Sequence, residues 1–443
     1  MKNFNQFKSK RIHFIGIGGI SMSGLAQIVI HNGGFVTGSD MTFNHEIEKL
    51  SSLGATIYSD HNSDNITKDM DLVVYTSAIS LDNPELLSAQ SLNIPIMERA
   101  EFLGLVARKF DRVIAIAGTH GKTTTTAMIS EIFANAGLKP TIHLGGESLG
   151  LKGNTIIGDT EYLIVEACEY KESFRFLRPY LGVVTNIEFD HVDYYKDYDE
   201  IYNAFLKFAG NSRNLISLKA NNLQHEHLET INGNWEVGNI ESVGEGFSFN
   251  VAYNGEFWGA VRINVLGYHN ISNALFAIAT AHYCGIDKNI IIDALSGFIG
   301  VERRYECIHT FGSGCRVIID YAHHPTELKT SIEGLDGVYD RVLYVFQPHT
   351  YSRTKGLFNE FIEVLELMQN IVLFATYPAR EKLISGGTAM DLYSKINVKN
   401  KKYFDEITEL FLFLEEKSNG FDCILVLGAG DLADILKRKY NNQ

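Results

Sequence analysis

One glycine-rich stretch constrains the fold of this chain more than any other feature. An apolar, β-branched run at 113–117 leads into Gly118-Thr119-His120-Gly121-Lys122-Thr123-Thr124-Thr125, and a helix-like segment follows. A strand, a glycine turn and a helix in this order place backbone N–H groups at a helix N-terminus, where the helix dipole favours an anion. Lys122 is then placed to reach the outer phosphates of a nucleotide, and the Thr123 hydroxyl to hold Mg²⁺. The stretch predicts a nucleotide-binding α/β domain, although Ile116 stands where the usual spacing has a glycine.

The bulk composition is that of a folded protein with several domains. The chain has 443 residues, of which 45% are hydrophobic and 21% are charged. At roughly 100–200 residues per domain, two to four domains are expected. The formal net charge of −14 gives no basic surface of the kind that binds nucleic acid. An anionic substrate would therefore be held by local cations and helix N-termini against the field of the whole chain.

Cysteine usage and hydropathy predict a cytoplasmic location. The five cysteines form no CxxC pair, and an odd number of cysteines is typical of free thiols in a reducing compartment. No run approaches the ~18 apolar residues that a membrane span requires, and the first residues lack the apolar core of a secretory leader. We expect a cytoplasmic protein without membrane insertion, either a monomer or a homodimer.

A second glycine turn stands near the start of the chain. A short strand leads into Gly16-Ile17-Gly18-Gly19-Ile20-Ser21-Met22, a helix follows, and the next strand ends at Ser39-Asp40. Glycines at the first turn with an acid about 20 residues later are typical of a dinucleotide fingerprint, in which the acid binds a ribose hydroxyl. Tight packing of strand against helix explains the same glycines without a ligand. A further strand ends near Ser77, and residues 1–107 are predicted to form a small doubly wound sheet.

Polar residues gather where the next apolar strands end. Tyr162-Leu163-Ile164-Val165 delivers Glu166, and a strand at 181–185 runs into Asn186-Ile187-Glu188-Phe189-Asp190-His191-Val192-Asp193. Strand exits at one edge of such a sheet face the ligand crevice. Carboxylates with a histidine are a metal-site composition. Solvated strand ends, or a helix N-terminus with acids in its first turn, explain the same residues without a metal.

The remaining chain continues the alternation of strands and helices. A helix is predicted to start at Asn270, a natural N-cap, with Asn273 on the same face. Capping explains Asn270 but not Asn273, and the two amides together are placed to read a purine edge. From Gly300 onward, strands end in Asp320-Tyr321-Ala322-His323-His324 and in Gln347-Pro348-His349-Thr350-Tyr351-Ser352-Arg353. These stretches predict a third αβ domain.

Taken in order, these stretches resemble the Mur ligase family over nearly the whole chain. The markers, from the N-terminus to the C-terminus, are His13-Phe14-Ile15-Gly16-Ile17-Gly18-Gly19, Gly118-Thr119-His120-Gly121-Lys122-Thr123, Glu166-Ala167-Cys168-Glu169, Thr185-Asn186-Ile187-Glu188 with Asp190-His191, His269-Asn270 with Asn273, Arg303-Arg304, Asp320-Tyr321 with His323-His324-Pro325, and Gln347-Pro348-His349 with Arg353-Thr354. Each marker alone is modest, but their number and order are specific. The chain departs from many members at Cys168, where Asp is common, and at Thr350, where Arg is common.

The resemblance implies an α/β fold with the three-domain Mur ligase architecture. An N-terminal Rossmann-like domain at 1–107 would bind a UDP-sugar. A central P-loop ATPase domain with a mostly parallel sheet, at 108–301, would bind ATP. A C-terminal Rossmann-like domain at 302–443 would close over ATP and admit an amino acid.

The resemblance also implies a reaction, and it points to the branch of the family that adds L-alanine to UDP-N-acetylmuramate. The muramate carboxylate would attack the γ-phosphate of ATP, giving an acyl phosphate and ADP. The amine of L-alanine would attack the acyl carbon, and phosphate would leave from a tetrahedral intermediate. Because two anions must meet, neutralising their charge is the main physical need, and ATP with Mg²⁺ would be the cofactors.

Site residues follow from the same resemblance, position by position. The catalytic residues would be Lys122, Glu166, His191 and Arg303. ATP would contact Gly118, Thr119, His120, Gly121, Lys122, Thr123, Thr124, Asn270, Asn273, Arg303 and Asp320. The UDP-sugar would contact Gly16, Gly18, Gly19, Ser21, Met22, Ser39, Asp40 and Ser77. L-Alanine would contact Tyr321, His323, His349 and Arg353, and the metal would be held by Thr123, Glu166 and His191.

Three other functions stay open at this point. A recycling ligase of the same family, which attaches a whole peptide to UDP-N-acetylmuramate, would share nearly every motif, although 76–79, 82–85 and 349–354 look more like the alanine-adding branch. An NAD(P)-dependent oxidoreductase would use Asp40 and the glycine turn before it but would leave Lys122 without a role. A non-catalytic nucleotide-binding partner would bind ATP without turnover.

Overall fold

A computed structural model describes residues 7–159, 161–191, 194–379 and 381–441. Asp193, one of the carboxylates of the predicted metal loop, lies outside these ranges, as do the first six residues, considered above for a leader. The chain divides into two compact units. The first unit runs up to Ile187 and includes Tyr202–Glu236 and Phe276–Ala294, and the second comprises Glu188–Ile201, Val237–Leu275 and the chain from Leu295 onward.

A five-stranded parallel sheet opens the first unit. Its strands are β1 (Arg11–Ile15), β2 (Phe35–Ser39), β3 (Thr56–Tyr58), β4 (Leu72–Tyr75) and β5 (Ile96–Glu98), in the order β3-β2-β1-β4-β5. The helices between them are α1 (Ile20–His31), α2 (His45–Ser52), α3 (Pro84–Ser91) and, after β5, α4 (Arg99–Ala107). This order makes a switch point between β1 and β4, and ligands bind at such points. The doubly wound sheet predicted from the sequence is present.

A second sheet in the first unit carries the phosphate loop. Its strands are β6 (Arg112–Ala117), β7 (Thr141–Ser148), β8 (Gly153–Ile156), β9 (Tyr162–Glu166), β10 (Leu181–Val184), β11 (Asn214–Leu218) and β12 (Leu228–Ile231), in the order β12-β11-β10-β6-β9-β7-β8. Strand β6 lies between β9 and β10 with Ile116 opposite Glu166 and Ala117 opposite Val184, all three strands being parallel. The exits of β9 and β10 therefore flank the loop that follows β6. Helix α5 (Lys122–Asn135) begins at the end of that loop.

The remaining elements of this region follow α5 along the chain. They are α6 (Tyr198–Asn211), β13 (Trp235–Val243), β14 (Gly246–Tyr253), β15 (Glu256–Ile263), α7 (His269–Tyr283) and α8 (Lys288–Gly297). Strands β14 and β15, in the second unit, form an antiparallel hairpin closed by Asn254 and Gly255. Both turn residues have positive φ, 51° and 81°, which is why the Asn-Gly pair suits a two-residue hairpin turn.

The second unit also contains a six-stranded sheet. Its strands are β16 (Glu306–Thr310), β17 (Arg316–Asp320), β18 (Val342–Phe346), β19 (Asn370–Phe374), β20 (Asn400–Phe404) and β21 (Cys423–Leu427), in the order β16-β17-β21-β18-β19-β20. Only β16 among these six runs antiparallel to its neighbour. The helices are α9 (Pro325–Glu333), α10 (Tyr351–Gly356), α11 (Phe358–Leu365), α12 (Ala389–Lys395), α13 (Ile407–Lys417) and α14 (Leu432–Asn441). Apolar clusters cover both faces, as expected for a mainly parallel sheet.

Local sequence signals account for several element ends. Helix α9 begins at Pro325, and His324 caps it in a reciprocal arrangement with Glu327, which matches the predicted helix start at this proline. The five cysteines are free thiols, as their number and spacing predict. In the described part of the chain, no helix is long and apolar enough to cross a membrane.

Candidate active site

The loop after β6 brings its backbone close to a strand exit on one side and to a helix start on the other. Gly118 and Gly121 have φ of +142° and +79°, values that favour glycine. The N–H of Thr119 donates to the backbone oxygen of Asn186 at 3.0 Å, and that of His120 donates to the Asn186 side chain at 2.8 Å. No described side chain caps α5, which starts at Lys122. The first N–H groups of this helix therefore face the loop, as in an anion site.

Lys122 is folded into this loop and neutralised by a buried carboxylate. Its Nζ donates to the backbone oxygens of Gly118 and Thr119 at 2.5 and 3.0 Å and lies 2.9 Å from Glu169. Burial lowers the pKa of Lys122, but Glu169 and its neighbours raise it more, so the net pKa is above the ordinary value. The lysine is thus held charged. Glu169 was visible in the sequence only as part of a family marker, and its pairing with Lys122 depends on the fold.

Glu166 stands at the exit of β9 on the same sheet edge. Its Oε1 accepts from the N–H of Gly145 at 2.7 Å, and a Cβ at Gly145 would come within 2.7 Å of Oε2. The glycine therefore lets β7 approach the carboxylate. This carboxylate and the Thr123 hydroxyl are hard oxygen donors from the strand exit and the adjacent helix start, a donor set that fits Mg²⁺.

The glycine turn after β1 is closed by its own neighbours. The N–H groups of Gly16 and Ile17 donate to the backbone oxygen of Ser39 at 2.8 and 3.1 Å. Asp40 accepts from the N–H of Gly18 at 2.9 Å with one oxygen and from the N–H of Thr42 at 3.0 Å with the other. Asp40 thus stabilises the turn. This role is additional to the predicted contact with a ribose.

The buried carboxylate of Glu85 binds Ser39, the residue before Asp40. Glu85 is fully buried and accepts from Ser39 Oγ at 2.6 Å and from Asn65 Nδ2 at 2.8 Å. His61 Nδ1 and His13 Nε2 lie 3.0 and 3.3 Å from its oxygens. Burial opposes ionisation, but His13, Ser39 and Asn65 together hold the pKa of Glu85 below its ordinary value. The network connects the residue before Asp40 to β1 and to the start of α3.

Ser21 links the start of α1 to the second sheet. Its hydroxyl lies 2.9 Å from His143 Nε2 on β7, and it accepts from Arg99 Nη1 at 3.1 Å. Burial, reinforced by Arg99, lowers the pKa of His143 to about 3, so the imidazole is neutral. Gly24 allows this approach, because a Cβ there would collide with His143 and Thr155. Sequence reasoning identified Ser21 but neither Arg99 nor His143.

Other predicted UDP-sugar residues lie in or beside the same turn. Met22 is 1% exposed and belongs to the core. The N–H of Gly19 donates to the backbone oxygen of Gly16 at 3.3 Å. A Cβ at Gly16 would come within 2.8 Å of Thr76, which places the exit of β4 and the following Ser77 beside the turn.

In the second unit, Asp190 and His191 precede the α6 helix. Burial opposes ionisation of Asp190, but His191, Arg353 and His324 hold its pKa well below the ordinary range. Arg353 Nε lies 3.7 Å from Asp190, and His191 has φ of +55°. A histidine in this left-handed region is uncommon, and such conformations cluster at functional sites.

The predicted alanine residues lie together around Arg353. Its Nη1 is 3.2 Å from His349 Nδ1, and the rings of His349 and His323 are 5.9 Å apart. Burial lowers the pKa of His323 to about 3 and that of His349 to about 4. His323 Nδ1 donates to the backbone oxygen of Tyr321 at 2.9 Å. Two neutral imidazoles and one guanidinium therefore stand at the exits of β17 and β18.

Arg303 and Asp320 are each held by backbone groups of the six-stranded domain. Arg303 Nη2 donates to the backbone oxygens of Gly428 and Gly430 at 3.1 and 2.7 Å. Its Nε is buried without a hydrogen-bond partner among the residues that the structure describes. Asp320 accepts from the N–H groups of Tyr305 and Ala322 at 3.1 and 3.0 Å, and burial raises its pKa. Asp320 therefore shapes the loop after β17 as well as standing where a ribose contact is predicted.

The predicted N-cap at Asn270 is wrong. Helix α7 begins one residue earlier, at His269, and Asn270 Nδ2 donates backward to the oxygen of Leu266 at 2.6 Å. Asn270 Oδ1 accepts from Asn273 Nδ2 at 2.8 Å. An Asn near a helix start fits both arrangements, so the sequence pattern alone does not separate them.

Models of known families match three successive parts of the chain. The Mur ligase family catalytic domain matches residues 11–111, the Mur ligase middle domain matches 116–281, and the domain described as "Mur ligase, glutamate ligase domain" matches 303–430. The chain belongs to the Mur ligase family. The family and the three-domain α/β fold predicted from the sequence are thus confirmed.

Individual relatives of this Mur ligase are also similar along their whole length. A UDP-N-acetylmuramate–L-alanine ligase from Clostridium tetani is 43% identical, with 96% of each chain covered. A crystal structure of a UDP-N-acetylmuramate–alanine ligase from Thermotoga maritima has a TM-score of 0.83 at 28% identity, with 98% of each chain covered. A murein peptide ligase from Psychrobacter arcticus has a TM-score of 0.75 at 23% identity over 97% of this chain and 98% of the other, which shows a shared fold alone.

Within each unit of this Mur ligase, predicted site residues converge at strand exits. The first unit brings together the phosphate loop, Lys122 and Glu166 on one sheet and Ser21, Ser39 and Asp40 on the other. The second unit brings His323 and His349 beside Arg353, which in turn lies against Asp190. The ligand assigned to each residue stays a prediction.

Proposed function

We propose that this Mur ligase joins L-alanine to the lactyl carboxylate of UDP-N-acetylmuramate at the expense of ATP. The products are UDP-N-acetylmuramoyl-L-alanine, ADP and phosphate, which makes the chain an enzyme of peptidoglycan precursor synthesis. The observation that carries this proposal is the 43% identity to a UDP-N-acetylmuramate–L-alanine ligase over 96% of both chains. The charged phosphate loop, with Lys122 and Glu166 at its edge, supports the ATP-dependent step.

The phosphoryl transfer would use the loop after β6. Uncapped N–H groups at the start of α5 and the Lys122 ammonium offer positive charge to the β- and γ-phosphates. Bound phosphates would pair with the Lys122 ammonium, either in place of Glu169 or together with it. Preorganised charge of this kind is what lowers the barrier when two anions react.

The metal would be held at the same edge. Thr123 and Glu166 are its proposed ligands in the first unit, and His191 is a proposed ligand for a second ion. When bound, Mg²⁺ would neutralise phosphate oxygens as a hard cation. The hydrogen bond from Gly145 to Glu166 orients the carboxylate for that task.

The amine step would use the exits of β17 and β18. Arg353 suits the carboxylate of L-alanine because a guanidinium pairs with a carboxylate through two parallel hydrogen bonds. Asp190 now balances that guanidinium, so the incoming carboxylate exchanges one acidic partner for another. The neutral imidazoles of His323 and His349 add no charge that would repel the ammonium of the amino acid.

A substrate-omission experiment tests the proposal. Phosphate release is measured with ATP, Mg²⁺, UDP-N-acetylmuramate and L-alanine, and with each component left out in turn. We expect release only in the complete mixture, together with a product heavier than UDP-N-acetylmuramate by one alanine residue. Release from ATP alone, or ATP binding without any turnover, contradicts a ligase function. A cytoplasmic location and a monomeric or homodimeric state stay predictions.

A further inference from the structure

Arg99 is a partly buried cation for which the reaction outlined above gives no role. Its Nη1 donates to Ser21 Oγ at 3.1 Å, and no described carboxylate forms an ion pair with it. A guanidinium taken partly out of water without an anion is costly. Its position is therefore explained if an anionic ligand completes it.

The local structure around Arg99 does not compensate its charge. Arg99 is the first residue of α4, where the helix dipole disfavours a cation. The nearest acids in sequence are Glu98 and Glu101. The pKa of Tyr75 is raised by burial and then by these two acids, which places them beside that phenol. Neither acid makes an ion pair with Arg99.

A chain of hydrogen bonds fixes the direction of the guanidinium. Because Ser21 Oγ accepts from Arg99, its own hydrogen is available for His143 Nε2, 2.9 Å away. The neutral His143 then carries its proton on Nδ1, which lies 3.2 Å from Thr155 Oγ1. Only one of the five N–H donors of the arginine enters this chain, and no described residue accepts from the other four.

Arg99 also lies near the phosphate loop. The pKa of the Cys168 thiol is raised by burial and by Glu169 and lowered to a smaller extent by Lys122 and Arg99, so both cations lie near this thiol. Helix α4 packs closely on the 170–176 segment that follows Glu169, since a Cβ at Gly104 would come within 2.7 Å of the Phe176 oxygen. The guanidinium therefore stands between the start of α1 and the loop that holds Lys122.

We propose that Arg99 binds an anionic oxygen group of the UDP-sugar, its pyrophosphate or its lactyl carboxylate, at the junction between the glycine turn and the phosphate loop. This assignment rests on the proposed function, because it presumes a UDP-sugar acid as substrate. The bound anion would receive the free N–H donors of Arg99, and Ser21 would keep the guanidinium aimed at it. Arg99 would thus steer the muramate end of the substrate toward Lys122.

Binding measurements on Arg99→Gln and Arg99→Lys, with Arg108→Gln as the control, test the assignment. Arg108 is an exposed arginine at the opposite end of the same helix. Dissociation constants are measured by calorimetry for UDP-N-acetylmuramate, UDP-N-acetylglucosamine and UDP, and KM values for ATP and L-alanine are measured in parallel. Loss of a charge-assisted contact predicts that Arg99→Gln weakens UDP-N-acetylmuramate about tenfold or more, with the KM for ATP unchanged. Arg99→Lys should weaken it less, and Arg108→Gln should not.

The three ligands separate the two anionic groups. Equal weakening of all three assigns Arg99 to the pyrophosphate, and weakening of UDP-N-acetylmuramate alone assigns it to the carboxylate. Dissociation constants within about twofold of the wild type for every ligand overturn the assignment, even if the variant melts at a lower temperature. If Arg99→Gln does not fold, the same comparison is made with Arg99→Lys. Failure of the wild type itself to bind UDP-N-acetylmuramate would instead refute the proposed function.

Discussion

Two glycine turns at strand exits look alike in sequence and differ in how their backbone N–H groups are used. After β1, the N–H groups of Gly16, Ile17 and Gly18 are taken by Ser39 and Asp40. The helices after both turns start without a side-chain cap. The loop after β6 differs because it carries the largely buried ammonium of Lys122, whereas the turn after β1 has the Asp40 carboxylate bonded to its backbone. Glycine spacing therefore predicts a tight βα turn, and the neighbouring side chains decide whether that turn binds phosphate.

Two buried carboxylates, one near each turn, differ in the direction of their pKa shifts. Glu85, behind the first turn, has four polar partners, and its pKa is lowered. Glu131, on the helix after the second turn, accepts from Ser148 Oγ at 2.9 Å, and burial raises its pKa to about 7. Hydrogen bonds to the charged form offset burial in the first case and not in the second. The number of donors, rather than the depth of burial, decides the charge of each group.

The largest effect should come from the open turn. Lys122→Ala should lower kcat by at least ~10²-fold, because it removes preorganised charge at the transferring phosphoryl group. Steady-state kinetics of phosphate release measure this. Lys139→Ala, at an exposed lysine beyond the other end of α5, is the matched control and should leave kcat unchanged. An unchanged kcat in Lys122→Ala would remove the functional difference between the two turns.

Glu85→Gln should cost about 3 kcal/mol of the free energy of unfolding at pH 7, because it removes a buried carboxylate that four polar side chains surround. The pKa of Glu85 is lowered, so its stabilisation is present above the ordinary glutamate pKa near 4.5 and is lost as the pH falls below it. Calorimetric melting at pH 7 and pH 4 should therefore show a difference that shrinks at the lower pH. Glu48→Gln, at an exposed position, should melt like the wild type at both. A pH-independent difference would contradict an ionised Glu85 in the native protein.

Glu131→Gln should change the free energy of unfolding in the opposite direction and stabilise the protein at high pH. With a folded pKa of about 7, above the unfolded value of 4.5, the stability of the wild type is fully present at low pH and falls as the pH rises through 7. The substitution should therefore be nearly neutral at pH 5 and should stabilise the protein by about 2 kcal/mol at pH 8. The same melting experiment measures both values. Equal destabilisation at pH 5 and pH 8 would show that Glu131 is ionised in the native state.

Asp40→Ala should have the smallest effect of the four, about 1 kcal/mol of destabilisation, because the N–H groups of Gly18 and Thr42 lose their acceptor. Asp40→Asn keeps one acceptor oxygen and should recover part of that loss. Melting temperatures measure the effect without substrate. If the melting temperature is unchanged while UDP binding is weakened, Asp40 acts on the ribose alone and the first turn is not closed as described.

Sequence reasoning went furthest where chemistry is local. The strand–loop–helix order around Lys122, the acid at the end of β9 and the Pro325 helix start each follow from short patterns, and the fold bears them out. The apolar run at 113–117 forms most of strand β6, and its five residues are all buried. These patterns predict structure correctly because each depends only on residues that are neighbours in sequence.

Pairs of side chains that are distant in sequence could not be predicted. Arg99 meets Ser21 across 78 residues, and Lys122 meets Glu169 across 47, so no spacing rule could propose either pair. Asn270 shows a different failure: its side chain bonds to Leu266 only four residues away, but an N-cap would give the same local pattern. The acid near the first turn follows from the sequence, whereas its hydrogen bonds to the N–H groups of Gly18 and Thr42 depend on the fold.

A panel of amines shows whether L-alanine is the amine substrate. kcat/KM is measured by phosphate release with ATP and UDP-N-acetylmuramate fixed and with L-alanine, glycine, L-serine or an alanine-initiated tripeptide as the amine. One methyl group in a fitted pocket predicts kcat/KM for L-alanine at least ~10-fold above that for glycine, with the tripeptide lower still. A higher kcat/KM for the tripeptide than for L-alanine would contradict L-alanine as the substrate and assign the chain to peptide recycling.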